Sequence, residues 1–132
     1  MAVLAARCFS CASAKPPLAL HGEWVPRSPL NATCGDVPAN DSVLVVNVAD
    51  EEGAVVADAK VYVAAYRSGS VVSQITDSSG TAEVKVAGDR PYAITVVIPG
   101  FEPESEALFL RGGCRGSSHV TLRVGRFVPE SP

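Results

Sequence analysis

The 132-residue sequence predicts an all-β fold: a seven-stranded antiparallel Greek-key-type β-sandwich. Three observations predict it. Val, Ile, Leu and Ala dominate while aromatic residues make up only 6% of the chain. No stretch keeps apolar residues at helical spacing for three turns. Gly and Pro recur at short intervals and cut the chain into runs of strand length.

The first strand is VLVVNVA, residues 43–49, closed by the turn Asp50-Glu51-Glu52-Gly53. KVYVAAY (60–66) runs into Arg67-Ser68-Gly69-Ser70, and VVSQI (71–75) runs into Thr76-Asp77-Ser78-Ser79-Gly80. TAEVKV, YAITVVI, EALFL and HVTLRV follow, separated by AGDRP, PGFEPES and RGGCRGSS. Apolar residues recur two apart at Val61, Val63 and Ala65, at Ala82, Val84 and Val86, at Tyr92, Ile94 and Val96, and at Val120, Leu122 and Val124. Side chains alternate between the two faces of a strand, so these positions point to one shared core and Glu83, Lys85, Thr121 and Arg123 point away. The turn TDSSG explains itself. Asp77 accepts backbone N–H groups, Ser78 and Ser79 suit an exposed turn, and Gly80 tolerates positive φ. Gly53 closes the first hairpin in the same way, and Pro99-Gly100 bends the chain so that Phe101 covers one end of the core.

Organisation changes near Asp41. Residues 1–14 read as a truncated signal segment, since Ala12-Ser13-Ala14 before Lys15 has the small-x-small form of a cleavage site. No Lys or Arg precedes the apolar run and Arg7 interrupts it, so a misassigned start is the competing reading. Export places the protein in the periplasm, on the envelope or outside the cell. Cys11 is a candidate for lipid attachment, whereas Cys8, after Arg7, is less suited. Residues 15–41 hold Pro16, Pro17, Pro26, Pro29 and Pro38 and read as an extended linker. Residues 42–126 form the sandwich and residues 127–132 a tail. Trp24, the single Trp, is expected to pack on the outside of the domain. Asn31-Ala32-Thr33 matches a glycosylation acceptor, a short pattern that arises by chance.

The pattern V-x-V-x-x-x-x-x-G-x-x-V-x-x-A-x-V-x-V from Val46, then TDSSG, Ala82-x-Val84-x-Val86, Gly88, Tyr92-x-Ile94-x-Val96 and Gly100-Phe101 resembles the carboxypeptidase regulatory-like domain. The resemblance covers about Ser42 to Val124. It implies a transthyretin (prealbumin)-like sandwich, close to carbohydrate-binding modules, of the kind found as add-on domains and small exported proteins. It implies no particular activity.

Composition excludes some functions. A net charge of −3 argues against a nucleic-acid partner, which calls for a basic stripe. No apolar run is long enough for a transmembrane helix. Catalysis is not expected: His21 and His119 are the imidazoles, and no nucleophile-elbow motif accompanies them. Hydroxyisourate hydrolases share the general fold, but the Tyr and N-terminal His motif that their tripeptide works with are missing around Arg115-Gly116-Ser117. The Lys and Asn of isopeptide-forming adhesin domains are not in place either. No cofactor is implied.

Up-and-down alternation gathers Asp50, Glu51, Glu52, Asp77 and Glu102 at one end, where with Ser78, Ser79 and Phe101 they form candidate binding loops. Oxygen ligands suit calcium, yet the spacing of a calcium loop is missing and solvated acidic turns are the preferred reading; no metal is assigned. Cys8-x-x-Cys11 lacks a second pair for zinc. Cys34 and Cys114 are expected at the opposite end, close enough for a disulfide that pins the linker to the last loop; the alternative is two separate thiols. That end also collects Arg67, Arg90, Arg111 and Arg115 against Asp89, which suggests contact with an anionic envelope surface, although ordinary solvated arginines explain the same residues.

The reading is therefore a non-enzymatic exported module, a monomer or weakly associated, with a structural or protein-binding role at the cell envelope. Peripheral or lipid-anchored membrane association is the expected tether. The first alternative is a carbohydrate-binding module stacking sugars on Tyr62, Tyr66 and Trp24. Tyr62 and Tyr66 have parity opposite to Val61 and Val63 and are expected on an outer face. The distant alternative is a hydrolase, marked by an acidic partner beside His119 in a pocket.

Overall fold

A computed structural model describes residues 25–125. The expected signal segment with Cys8 and Cys11, His21, Trp24 and the expected tail lie outside the described residues. The described chain is all-β, with eight strands: β1 (Leu30–Cys34), β2 (Asp41–Asp50), β3 (Lys60–Ala65), β4 (Val71–Ile75), β5 (Thr81–Ala87), β6 (Arg90–Val97), β7 (Glu104–Leu110) and β8 (Cys114–Leu122). They form two four-stranded sheets, β1-β8-β2-β5 and β4-β3-β6-β7, packed face to face.

The sandwich is closed by the alternation read in the sequence. Leu44, Val46, Val48, Val61, Val63, Ala82, Val84, Tyr92, Ile94, Val96 and Leu122 are buried in one cluster between the sheets. Phe101 packs against that cluster at one end. Val124 departs from the expected alternation and is exposed, because β8 ends at Leu122 and the chain beyond it leaves the sheet.

Three differences from the sequence reading share one origin. The strands number eight rather than seven, because LNATC within the linker is strand β1. All five of its residues are exposed. An edge strand with no buried face has no period-2 signal to detect.

Strand β8 begins at Cys114, inside the stretch RGGCRGSS that reads as a loop. Its small residues are a packing requirement. A β-carbon on Gly116 would overlap the ring of Pro29, which leads into β1, and Ser118 is buried. Finally, the sandwich is not wholly antiparallel. Strand β8 inserts between β1 and β2, pairs antiparallel with β1, and therefore runs parallel to β2 over Ser42–Asp50. Alternation tells which face a residue takes but not which strand lies beside it.

All connections fall at two ends. The loops at 51–59, 76–80 and 98–103 share the end where β2 and β8 finish, and those at 35–40, 66–70, 88–89 and 111–113 share the other.

Candidate functional site

The acidic-end loops are built by their own backbone. Asp50 Oδ1 accepts the N–H groups of Glu52 and Ala54, and Asp77 Oδ1 accepts those of Ser79 and Thr81. Both carboxylates are turn-forming groups already engaged by N–H donors. Glu51, Glu52, Ser78 and Ser79 are exposed on the same turns, and Glu102 is tied by its N–H to the Arg123 carbonyl. Behind them the Thr76 hydroxyl, 2% exposed, donates to the Val56 carbonyl and accepts from the Ala59 N–H, joining β4 to the loop before β3. Among the described residues, no three His, Cys, Asp or Glu side chains converge as a metal site.

At the opposite end Cys34 and Cys114 are disulfide-bonded, with a sequence separation of 80. They are direct partners in the β1–β8 register, so the bond crosslinks two strands rather than a linker and a loop. The basic end is more balanced than the sequence reading has it. Asp36 and Asp41 sit there besides Asp89, Asp41 pairs with Lys85 at 3.5 Å, and Arg115 is taken by Glu83 at 2.6 Å on the outer face of the first sheet. Asp89 Oδ1 accepts the Gly112 N–H and belongs to the turn contacts.

His119 lines a cavity of about 110 Å³ between β7 and β8, together with Glu104, Glu106 and Thr121. A neighbouring space of about 130 Å³ shares Glu106 and His119 and reaches Arg27 and Pro29. The acidic partners that mark a hydrolase are thus beside His119, but the bonding runs elsewhere. The Ser118 hydroxyl donates to the Glu106 carboxylate. Among the described residues His119 makes no hydrogen bond to Glu104, Glu106 or Ser118.

Tyr62 lies on the outer face of the second sheet and is half-buried, with Lys60 Nζ 6.0 Å from its ring centroid. Tyr66 lies past the end of β3 in the following turn, 37% exposed, and burial raises its phenol pKa.

The outer face holding Tyr62 has residues the sequence reading did not single out. Cross-strand register places Val71, Ser73 and Ile75 of β4, Tyr62 and Ala64 of β3, Ala93, Thr95 and Val97 of β6, and Ala107 and Phe109 of β7 on that face. Val71 and Ile75 are more than half exposed, Val97 and Phe109 each 37%. Lys60 is the one charged side chain its register includes. The outer face of the first sheet is more polar, carrying Asn47, Thr81, Glu83, Lys85, Arg115, His119 and Thr121 around Val43, Val45, Ala49 and Ala87, of which Val43 is buried. The signal was present in the sequence: YAITVV and EALFL carry apolar residues on both parities, and only one parity can face the core.

No protein-family model and no curated protein matches the chain. Solved structures do. The Bacillus anthracis TIE protein superposes with a TM-score of 0.57 at 18% identity, over 64% of this chain and 17% of that one. The 3-chlorocatechol 1,2-dioxygenase of Rhodococcus opacus gives 0.54 at 11% identity, over 76% and 65%. The chlorocatechol 1,2-dioxygenase of Pseudomonas putida gives 0.53 at 11%, over 73% and 67%. At these identities the likeness is one of fold. The chain spans about a sixth of the first of these proteins and about two thirds of the dioxygenases.

Proposed function

We propose that this chain is a non-enzymatic, exported β-sandwich module of the carboxypeptidase regulatory-like kind that docks a protein partner at the cell envelope through the outer face of the β4-β3-β6-β7 sheet. The observation that carries the reading is the asymmetry of the two outer faces. A sandwich that meets water on both sides has polar residues on both; here one face presents Val71, Ile75, Val97 and Phe109 around Tyr62 and Ala93. Exposed Val71, Ile75, Val97 and Phe109, set among Ser73, Thr95 and Ser105 on one sheet face, are an apolar enrichment of the kind that marks interaction sites. The disulfide supports export, since such bonds persist in oxidising compartments.

The test is site-specific photocrosslinking in the native host. A crosslinker at Val97 or Phe109 is expected to give a discrete adduct that is missing when it stands at Thr121 on the other sheet. Equal labelling from all three positions, or none from the first two, overturns the reading. Binding to soluble glycans that is lost in Tyr62→Ala favours the carbohydrate-binding alternative.

A further inference from the structure

The four sheet edges are not treated alike. Edge strands offer unpaired N–H and C=O groups and are ordinarily blunted by charges, proline, bulges or a covering segment. Strand β7 is covered: the Arg27 N–H donates to the Ala107 carbonyl and the Phe109 N–H to the Arg27 carbonyl. Strand β1 follows Pro29 and is irregular between Leu30 and Thr33. Strand β5 carries Glu83 and Lys85. Strand β4, Val71-Val72-Ser73-Gln74-Ile75, has none of these devices: no charge, no proline, an unbroken register with β3, and all five residues exposed.

Its free groups fall on alternate residues. The Ser70 carbonyl accepts from the Ala65 N–H and the Thr76 N–H donates to the Ala59 carbonyl, so residues of that parity, Val72 and Gln74 included, bond to β3. Val71, Ser73 and Ile75 therefore aim their N–H and C=O groups outward, and among the described residues none has a partner there.

We infer that two copies of this chain pair through β4, antiparallel, about a two-fold axis at Ser73. Three features of the strand fit that register. Ser73 meets its own copy and Val71 meets Ile75 of the partner, so every outward-pointing residue faces another of the same kind and each pair exchanges both bonds. The same pairing sets the exposed Val71 side chain against the exposed Ile75 side chain twice over, apolar on apolar, on the outer face. The ends match in charge as well, since Arg67 precedes the strand and Asp77 follows it, and antiparallel pairing brings each near the other. The interface is isologous and self-limiting, as a two-fold contact must be. It joins the two second sheets into one continuous sheet, in place of the monomer expected from the sequence. It draws on Val71 and Ile75 of the proposed docking face, whereas the crosslinkers at Val97 and Phe109 test that face away from the pairing edge.

The test is sedimentation equilibrium of the full chain over a concentration series, with variants that read the register. The wild type is expected to be a dimer that Val71→Lys with Ile75→Lys abolishes by placing lysine opposite lysine at both positions. Val71→Glu with Ile75→Lys, which places opposite charges there instead, restores it; this rescue separates loss of pairing from loss of folding. In a chain carrying Cys8→Ser and Cys11→Ser, oxidation crosslinks Ser73→Cys across the axis and leaves Val71→Cys uncrosslinked. A wild type that stays monomeric through hundreds of micromolar overturns the proposal. So does a dimer that the double lysine variant leaves intact, or crosslinking at Val71→Cys equal to that at Ser73→Cys.

Discussion

Asp50 and Asp77 make the same bonds in two separate turns: each Oδ1 accepts the N–H two residues on and the N–H four residues on. The backbone repeats the match. Each Asp N–H donates to the carbonyl four residues later, and the glycine in third place after it, Gly53 or Gly80, donates back to the Asp carbonyl with positive φ. One local solution serves both corners, which accounts for Asp and Gly at that spacing without a ligand.

The two glycines are nonetheless unequal, and this gives a matched test. A β-carbon on Gly53 meets nothing within 4 Å, whereas one on Gly80 would lie 2.7 Å from the Val48 carbonyl oxygen and 2.9 Å from Val55 Cβ. Gly53→Ala should cost only the left-handed backbone penalty of about 1–2 kcal/mol. Gly80→Ala adds a clash with backbone that also bonds Val48 to Gly80, and should cost about 3 kcal/mol or more. Urea unfolding of the two variants measures the difference directly.

Thr76 is expected to be more sensitive than the exposed serines after it. Its hydroxyl satisfies the Val56 carbonyl and the Ala59 N–H in a buried site. Thr76→Val keeps the shape and strands both partners, at a cost of about 2–3 kcal/mol, while Thr76→Ser keeps the bonds and should lose about 1 kcal/mol. Equal losses in a denaturation series would mean that packing, not hydrogen bonding, fixes this corner.

The legible part of the structure was whatever leaves a periodic or stereochemical mark. Val61, Val63, Ile94 and Val96 alternate, and DSSG names its own turn. What left no mark was pairing. LNATC has no buried face, and CRGSS looks like a loop because Gly116 at its centre has to lie against Pro29. Hence β1, the early start of β8 and the parallel β2–β8 contact were hidden together. The candidate interaction face was half legible: Tyr62 was placed outward by parity, while Val71, Val97 and Phe109 were absorbed into the expected apolar content of strands.

Reducing the Cys34–Cys114 bond should free β1 and the segment before it from the rest of the sheet. Closing a separation of 80 residues is worth roughly 4 kcal/mol in the chain-entropy account, a large share of the roughly 5–15 kcal/mol typical of a small domain. Cys34→Ser with Cys114→Ser is expected to lower the urea midpoint accordingly, and amide exchange should rise first in Leu30–Cys34, all of it exposed. Intact mass of protein from the native host, alkylated with and without reduction, checks that the bond forms there.

Alkali provides a test of the core from the side of Tyr92. Its ring is 3% exposed, and its hydroxyl donates to the Ala87 carbonyl at 2.5 Å. Burial raises the phenol pKa above the ordinary 10.0, with the Arg90 charge opposing the shift. In the unfolded chain the phenol ionises near 10, while in the folded protein it keeps its proton to higher pH. Between those two values the folded state binds more protons, so stability falls as pH rises. The contribution is complete below about pH 10 and declines through the folded pKa. Tyr92→Phe should therefore lose stability at neutral pH, by about 1 kcal/mol for the missing hydrogen bond, yet show a shallower decline above pH 10. Denaturation series from pH 8 to 11, read alongside phenolate absorbance, measure both slopes. Parallel curves for the two proteins would mean that Tyr92 ionises in the folded state as it does in the unfolded one.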